Sequence, residues 1–291
     1  AVDYTKVEID PTDKDSYGKY VTPGQYLRFN QEFCGNGSSD ISNPALIPST
    51  CSNVTFPATI GWVSDSKDSA INPRSGAFQR ANLEWALPGG DLTYYKLTYQ
   101  HQRFFPVTRT MTLMLNGELG YAKGLSGQEV PFYKNFYAGG YGSVRGYDNS
   151  SLGPKYPSVI FQETGQSDPD PEEVGGNALV QFGTELALPL PFKGDWARQV
   201  RPVLFAEGAQ VFDTQCNVPT GSILVNSTNV DIKQYCKDNY NFNFDNMRYS
   251  VGVGFTWITM IGPLSLSYAF PLNDKKGDDT KSIQFEIGRT F

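Results

Sequence analysis

The sequence predicts an all-β fold: an antiparallel transmembrane β-barrel of the outer-membrane type, with about 11 strands legible out of an expected 16. Three observations carry this expectation. Apolar and polar residues alternate with period two over segments of strand length, tight turns alternate with long polar connections, and the composition favours strands over helices. Gly (29), Tyr (17) and Phe (19) are abundant, whereas Met (4) and His (1) are scarce. Glycine and aromatic residues in that balance suit strands joined by turns rather than a helical bundle.

Strands are expected near residues 2–10, 23–33, 56–64, 76–87, 93–105, 109–121, 177–189, 200–213, 247–258, 263–272 and 282–291. Between Met111 and Leu119 the large apolar residues fall mostly on odd positions. Tyr249, Val251, Val253, Phe255 and Trp257 alternate with Ser250, Gly252, Gly254 and Thr256. Leu264, Leu266, Tyr268 and Phe270 then alternate with small residues, and Ile283, Phe285 and Ile287 with Gln284 and Glu286. Such alternation gives each strand one apolar and one small or polar face.

The uncharged stretch from Tyr249 to Asn273 is long enough for a membrane-spanning helix. Its period, the weak helix formers Gly252 and Gly254, and the break at Gly262-Pro263 instead indicate two bilayer-length strands joined by a tight turn. Pro88-Gly89-Gly90 and Pro106-Val107 mark further short turns, whereas residues 122–176 and 214–246 form long connections. That asymmetry is the pattern of an outer-membrane barrel. A soluble β-sandwich would need its apolar faces buried against each other, and does not account for aromatic residues at so many strand ends. Barrels of single bacterial chains usually have an even strand count. Residues 1–291 are therefore expected to be the C-terminal part of one barrel domain, including the loop 122–176, with earlier strands lying outside the sequence.

The formal net charge is −6 and no basic face recurs, which excludes nucleic acid as a partner. A single histidine and the lack of a Cys-x-x-Cys pair leave a transition metal without ligands, and no cofactor is expected. Cys34 and Cys51 share one Gly/Asn/Ser/Pro-rich stretch, and Cys216 and Cys236 another. Two local disulfides, Cys34–Cys51 and Cys216–Cys236, clamping surface loops in an oxidising compartment, are the expectation; free thiols in a reducing compartment are the alternative.

The connection 122–176 is too long for a passive turn. Its first half concentrates Phe132, Tyr133, Phe136, Tyr137, Tyr141 and Tyr147 with Gly139, Gly140, Gly142 and Gly146 around one arginine, Arg145. The aromatics supply a local core and the glycines permit tight turns, so a defined shape is expected.

Pro131-Phe132-Tyr133, Asn135-Phe136-Tyr137-Ala138-Gly139-Gly140 and Val144-Arg145-Gly146-Tyr147 together resemble the sixth-loop signature of the BamA family, the central subunits of the outer-membrane β-barrel assembly machinery. The Val-Arg-Gly-Tyr tetrad alone is shared with translocation and two-partner secretion pores of the same superfamily. Asn72-Pro73-Arg74-Ser75-Gly76, Gly175-Gly176-Asn177-Ala178 and Gly262-Pro263-Leu264 extend the resemblance, which runs from about residue 56 to the end.

The resemblance implies that Arg145 folds back into the barrel and pairs with inward-facing Glu185 and Glu207. Even positions from Val180 to Leu186 are mostly apolar, which independently turns Glu185 inward. A glutamate at 207 departs from the aspartate frequent in the family. An ordinary solvent-exposed cation is the alternative for Arg145. The terminal segment Ile283–Phe291 resembles the last strand of outer-membrane proteins, with Gly288 at the family's inward kink and Phe291 as the final aromatic. Gly288 read without the family is simply a small inward-facing residue.

By the same resemblance the function is non-enzymatic: folding and insertion of nascent barrel proteins into the bacterial outer membrane, by strand templating at a weak seam. The implied partners are those substrates, the lipid bilayer, and assembly-machinery lipoproteins recruited through periplasmic POTRA domains, which are absent from this sequence. A secretion pore of the superfamily is the alternative. A hydrolase would need His101 as its base, but that residue lies on the apolar parity of its strand.

Overall fold

A computed structural model describes residues 2–13, 22, 24–37, 43–70, 72–156, 172–190, 199–216, 222–225, 228–259, 262–275 and 278–287. Five long or leading strands come first: β1 (Asp3–Glu8), β2 (Thr50–Asp65), β3 (Gly76–Leu87), β4 (Tyr94–Pro106) and β5 (Thr112–Gly124). The long connection contributes three two-residue strands, β6 (Gly146–Tyr147), β7 (Lys155–Tyr156) and β8 (Glu172–Glu173). Then follow β9 (Ala178–Ala187), β10 (Val200–Phe212), a small hairpin of β11 (Ser222–Val225) and β12 (Thr228–Asp231), β13 (Arg248–Thr259), β14 (Gly262–Pro271), β15 (Thr280–Lys281) and β16 (Ile283–Ile287).

Ten of these strands form one antiparallel sheet in the order β1-β2-β3-β4-β5-β9-β10-β13-β14-β16. Chain neighbours are sheet neighbours throughout, as in an up-and-down meander. The sheet bends back on itself. Arg201 on β10, four strands removed from β3 in that order, donates through Nη1 to Asn72 Oδ1 in the β2–β3 turn at 2.5 Å. Among the described residues, β16 and β1 remain the two ends of the order, without pairing to each other.

Side-chain polarity is inverted relative to a soluble sandwich. Outward positions hold Trp257 (46% exposed), Phe270 (51%) and Phe285 (58%). Their inward neighbours Thr256, Ser265, Ser267 and Gln284 are buried. Water would not tolerate so continuous an apolar outer band, whereas lipid requires it. No helix among the described residues is long and apolar enough to cross a membrane, so crossing falls to the strands.

Two expectations are corrected. The strand expected at 23–33 is replaced by a helix, α1 (Gly24–Cys34). No residue in it is β-branched, and the Phe29 and Phe33 rings meet one helical turn apart, tilted, with centroids at 4.9 Å. The apolar spacing was helical, and the strand period matched it only locally. Among the described residues the sheet consequently has ten strands instead of eleven, and its terminal strand is described to Ile287.

Both disulfides are present, Cys34–Cys51 and Cys216–Cys236. They do not simply close loops, because Cys51 lies in β2, Cys34 ends α1, and Cys236 lies in the second helix, α2 (Ile232–Asn239). The first bridge thus ties α1 to the sheet, and the second ties α2 to the loop that follows β10. In the chain-entropy picture, closing loops of this size contributes about 3 kcal/mol.

Candidate functional site

The main apolar cluster is built by the long connection itself. Phe136, Ala138, Val144, Tyr147 and Leu152 pack against Ala122, Leu179, Ala209 and Val211 on the inner face of β5, β9 and β10. The strand side accommodates the loop at Gly120, where an added Cβ would lie 2.4 Å from the Phe136 ring. Gly146 meets a second requirement. Its φ of +98° is left-handed, and a Cβ there would approach Ala269 Cβ at 3.3 Å. Glycine therefore lets the loop backbone lie directly on β14.

Arg145 is 4% exposed at the tip of this loop. Its backbone N donates to Glu207 Oε2 at 2.8 Å, and its Nε and Nη2 donate to Glu207 Oε1 at 2.9 and 2.5 Å. Nη2 also donates to Glu185 Oε2 at 3.1 Å. Glu185 sits on β9 and Glu207 on β10, which are adjacent strands. The longer side chain at 207 reaches both the main chain and the guanidinium. Phe205, two residues before Glu207 and so on the same face, places its ring centroid 3.5 Å from the guanidinium carbon. Burial disfavours the cation, but the charges of Glu207 and Glu185 more than offset this and hold the guanidinium above its ordinary pKa.

Several residues of this assembly were missed in the sequence. Ser143 Oγ donates to Gln181 Oε1 at 2.7 Å, and Gln181 Nε2 donates to the Gly142 carbonyl at 3.2 Å. Gln181 shares the inward parity of Glu185, which was the available signal. Asn177 donates to the Ala122 carbonyl at 2.9 Å and to Thr214 Oγ1 at 2.8 Å, joining three elements where the loop returns to the sheet.

The loop's entry limb is held elsewhere. Lys134 Nζ donates to Glu84 Oε1 on β3 at 2.7 Å, and that oxygen also accepts from Tyr94 OH at 2.6 Å. Lys96 on β4 donates to the Lys134 carbonyl at 2.6 Å and lies 4.1 Å from the Phe136 ring centroid. Helix α1 covers this limb: Arg28 pairs with Glu129, and Phe29 meets Phe132 edge-on at 5.4 Å. The tetrad's remaining members, Val144 and Tyr147, are fully buried. His101 points outward beside Tyr99, away from all these groups. Gly288 and Phe291 lie outside the described residues.

The assembly is a cation fixed between two strand carboxylates under an aromatic ring. A cavity of about 320 Å³ next to it is lined by Gln100, Gln102, Glu118 and Tyr141, among others. Among the described residues no group of acidic, histidine and cysteine side chains is arranged to hold a metal ion.

Comparison with known proteins places this geometry. Residues 48–291 match the model of the Omp85 superfamily domain. The outer membrane protein assembly factor BamA of Neisseria meningitidis is 38% identical over 237 residues, covering 81% of this chain and 29% of the relative. A sorting and assembly machinery component 50 homolog of Mus musculus is 28% identical, covering 79% of this chain and 44% of that protein. The crystal structure of BamA from Haemophilus ducreyi lacking POTRA domains 1–3 aligns with a TM-score of 0.70 at 29% identity, over 86% of this chain and 45% of that one. The chain therefore spans less than half the length of these relatives, and over that span it belongs to the Omp85 superfamily.

Proposed function

We propose that residues 1–291 form the C-terminal part of the transmembrane barrel of a bacterial outer-membrane protein assembly factor. In this reading the protein folds and inserts other β-barrel proteins without catalysing a covalent reaction. The observation that carries it is the Arg145–Glu185–Glu207 assembly, which fastens a loop of this family's sequence to the inner face of an Omp85-type sheet. Arg145 pins the loop and sets the geometry of β9 and β10. A substrate strand then pairs with the edge of β16, at the end of the sheet order.

The partners in this reading are nascent outer-membrane β-barrel proteins and the surrounding bilayer, with lipoproteins of the machinery reached through POTRA domains. The test is reconstitution of the full-length protein in liposomes with an unfolded barrel substrate. Accelerated appearance of the protease-resistant, heat-modifiable substrate is expected. Ion conductance and export of a soluble substrate without that acceleration would instead establish a secretion pore.

A further inference from the structure

The tip of the long loop does not stop at β9 and β10. Immediately after Arg145, β6 pairs antiparallel with β15, with Gly146 opposite Lys281 and Tyr147 opposite Thr280. Asp148 N donates to the Asp279 carbonyl at 2.8 Å, and Lys155 Nζ contacts the Asp279 carboxylate at 3.2 Å. One residue into β16, Gln284 is 6% exposed and faces inward. Its Nε2 donates to the Tyr147 carbonyl at 2.6 Å. The segment leading into the terminal strand is thus stitched to the loop, while the strand, over its described residues, pairs with β14 at five register positions.

We propose that Gln284 is a positioning residue that couples the Arg145 loop to the terminal strand. The mechanical logic is short. Arg145 is immobilised by two carboxylates, Tyr147 lies two residues further along, and its carbonyl receives the Gln284 amide. Among the described residues β16 pairs on one side only, with β14, and a strand so held frays readily. A buried bond from its inner face to a fixed loop supplies a second restraint, perpendicular to the sheet. The loop therefore sets where the strand's pairing edge lies. Its bearing on assembly rests on the proposed function; the coupling itself does not.

The test is hydrogen exchange on the full-length protein in membranes, comparing wild type with Gln284→Leu and Gln284→Glu. Leucine removes the donor. The introduced carboxylate faces the carbonyl, but when protonated it becomes a donor again. Exchange at residues 283–287 is expected to speed up about tenfold in both variants, with residues 143–145 unchanged. On acidification from about pH 8 to about pH 5 the Gln284→Glu variant alone regains protection, because a buried carboxyl protonates readily. Unchanged exchange at 283–287, or an equal loss across all ten strands, overturns the proposal. Wild-type protein that fails to assemble substrate in the liposome assay would defeat the functional reading instead, whatever the exchange result.

Discussion

Lys134 and Arg145 lie on the same connection, and each pairs with a glutamate on the sheet, yet the two contacts differ in kind. At the Lys134–Glu84 pair both side chains keep 26% exposure, and the ammonium makes one bond to the carboxylate. At Arg145 the three side chains are 5%, 6% and 9% exposed, and Glu207 alone accepts three bonds from that residue. Partial hydration screens the first contact and limits its contribution to about 0–1 kcal/mol. The second is largely desolvated, so its components depend on each other: the cation neutralises two carboxylates that have no other compensation of equal quality. A planar guanidinium serves two strands at once, where an ammonium would act as a point charge. The entry limb is docked, whereas the tip is locked.

The largest expected effect is at the locked end. Arg145→Met keeps most of the volume but leaves Glu185 and Glu207 facing each other without a cation. A loss of about 3–5 kcal/mol is expected, read as disappearance of the heat-modifiable band on unheated gels. Glu207→Gln should cost about 2 kcal/mol and Glu185→Gln about 1 kcal/mol, the larger loss falling on the carboxylate that accepts more bonds; urea midpoints in detergent measure the difference. Gly146→Ala introduces a side chain at φ +98° and should cost about 1–2 kcal/mol, seen as faster proteolysis within the loop. The smallest effect belongs to the docked end. Lys134→Met should shift the urea midpoint by no more than about 1 kcal/mol, and the shift should shrink in high salt.

The difference between the two ends also explains what was legible in sequence. Period two along β4, β5, β9, β10, β13 and β14 located these strands within a few residues, since one face must meet lipid and the other must not. Glu185 announced its direction through the apolar Val180, Phe182 and Leu186 around it. Arg145 stood out as the one arginine among aromatics and glycines. Lys134 and Glu84 carried no such mark: both are ordinary charged residues, and their meeting depends on a loop crossing the inner face. Gln284 was visible only as the polar member of an alternating strand. Helix α1 was misread because Leu27 and Phe29 satisfy a strand period locally, while the contacts that favour a helix, Phe29 with Phe132 and Arg28 with Glu129, come from more than a hundred residues away. Tertiary partners decided that segment, and no local pattern contains them.

The most direct measurement is urea unfolding of four proteins: wild type, Arg145→Met, Glu185→Gln/Glu207→Gln, and the variant combining all three changes. If the tip is locked by a desolvated cation between two carboxylates, removing the cation alone is worst, and the triple variant regains part of the lost stability because no uncompensated charge remains. Losses that simply add, or an Arg145→Met variant as stable as wild type, would contradict the account.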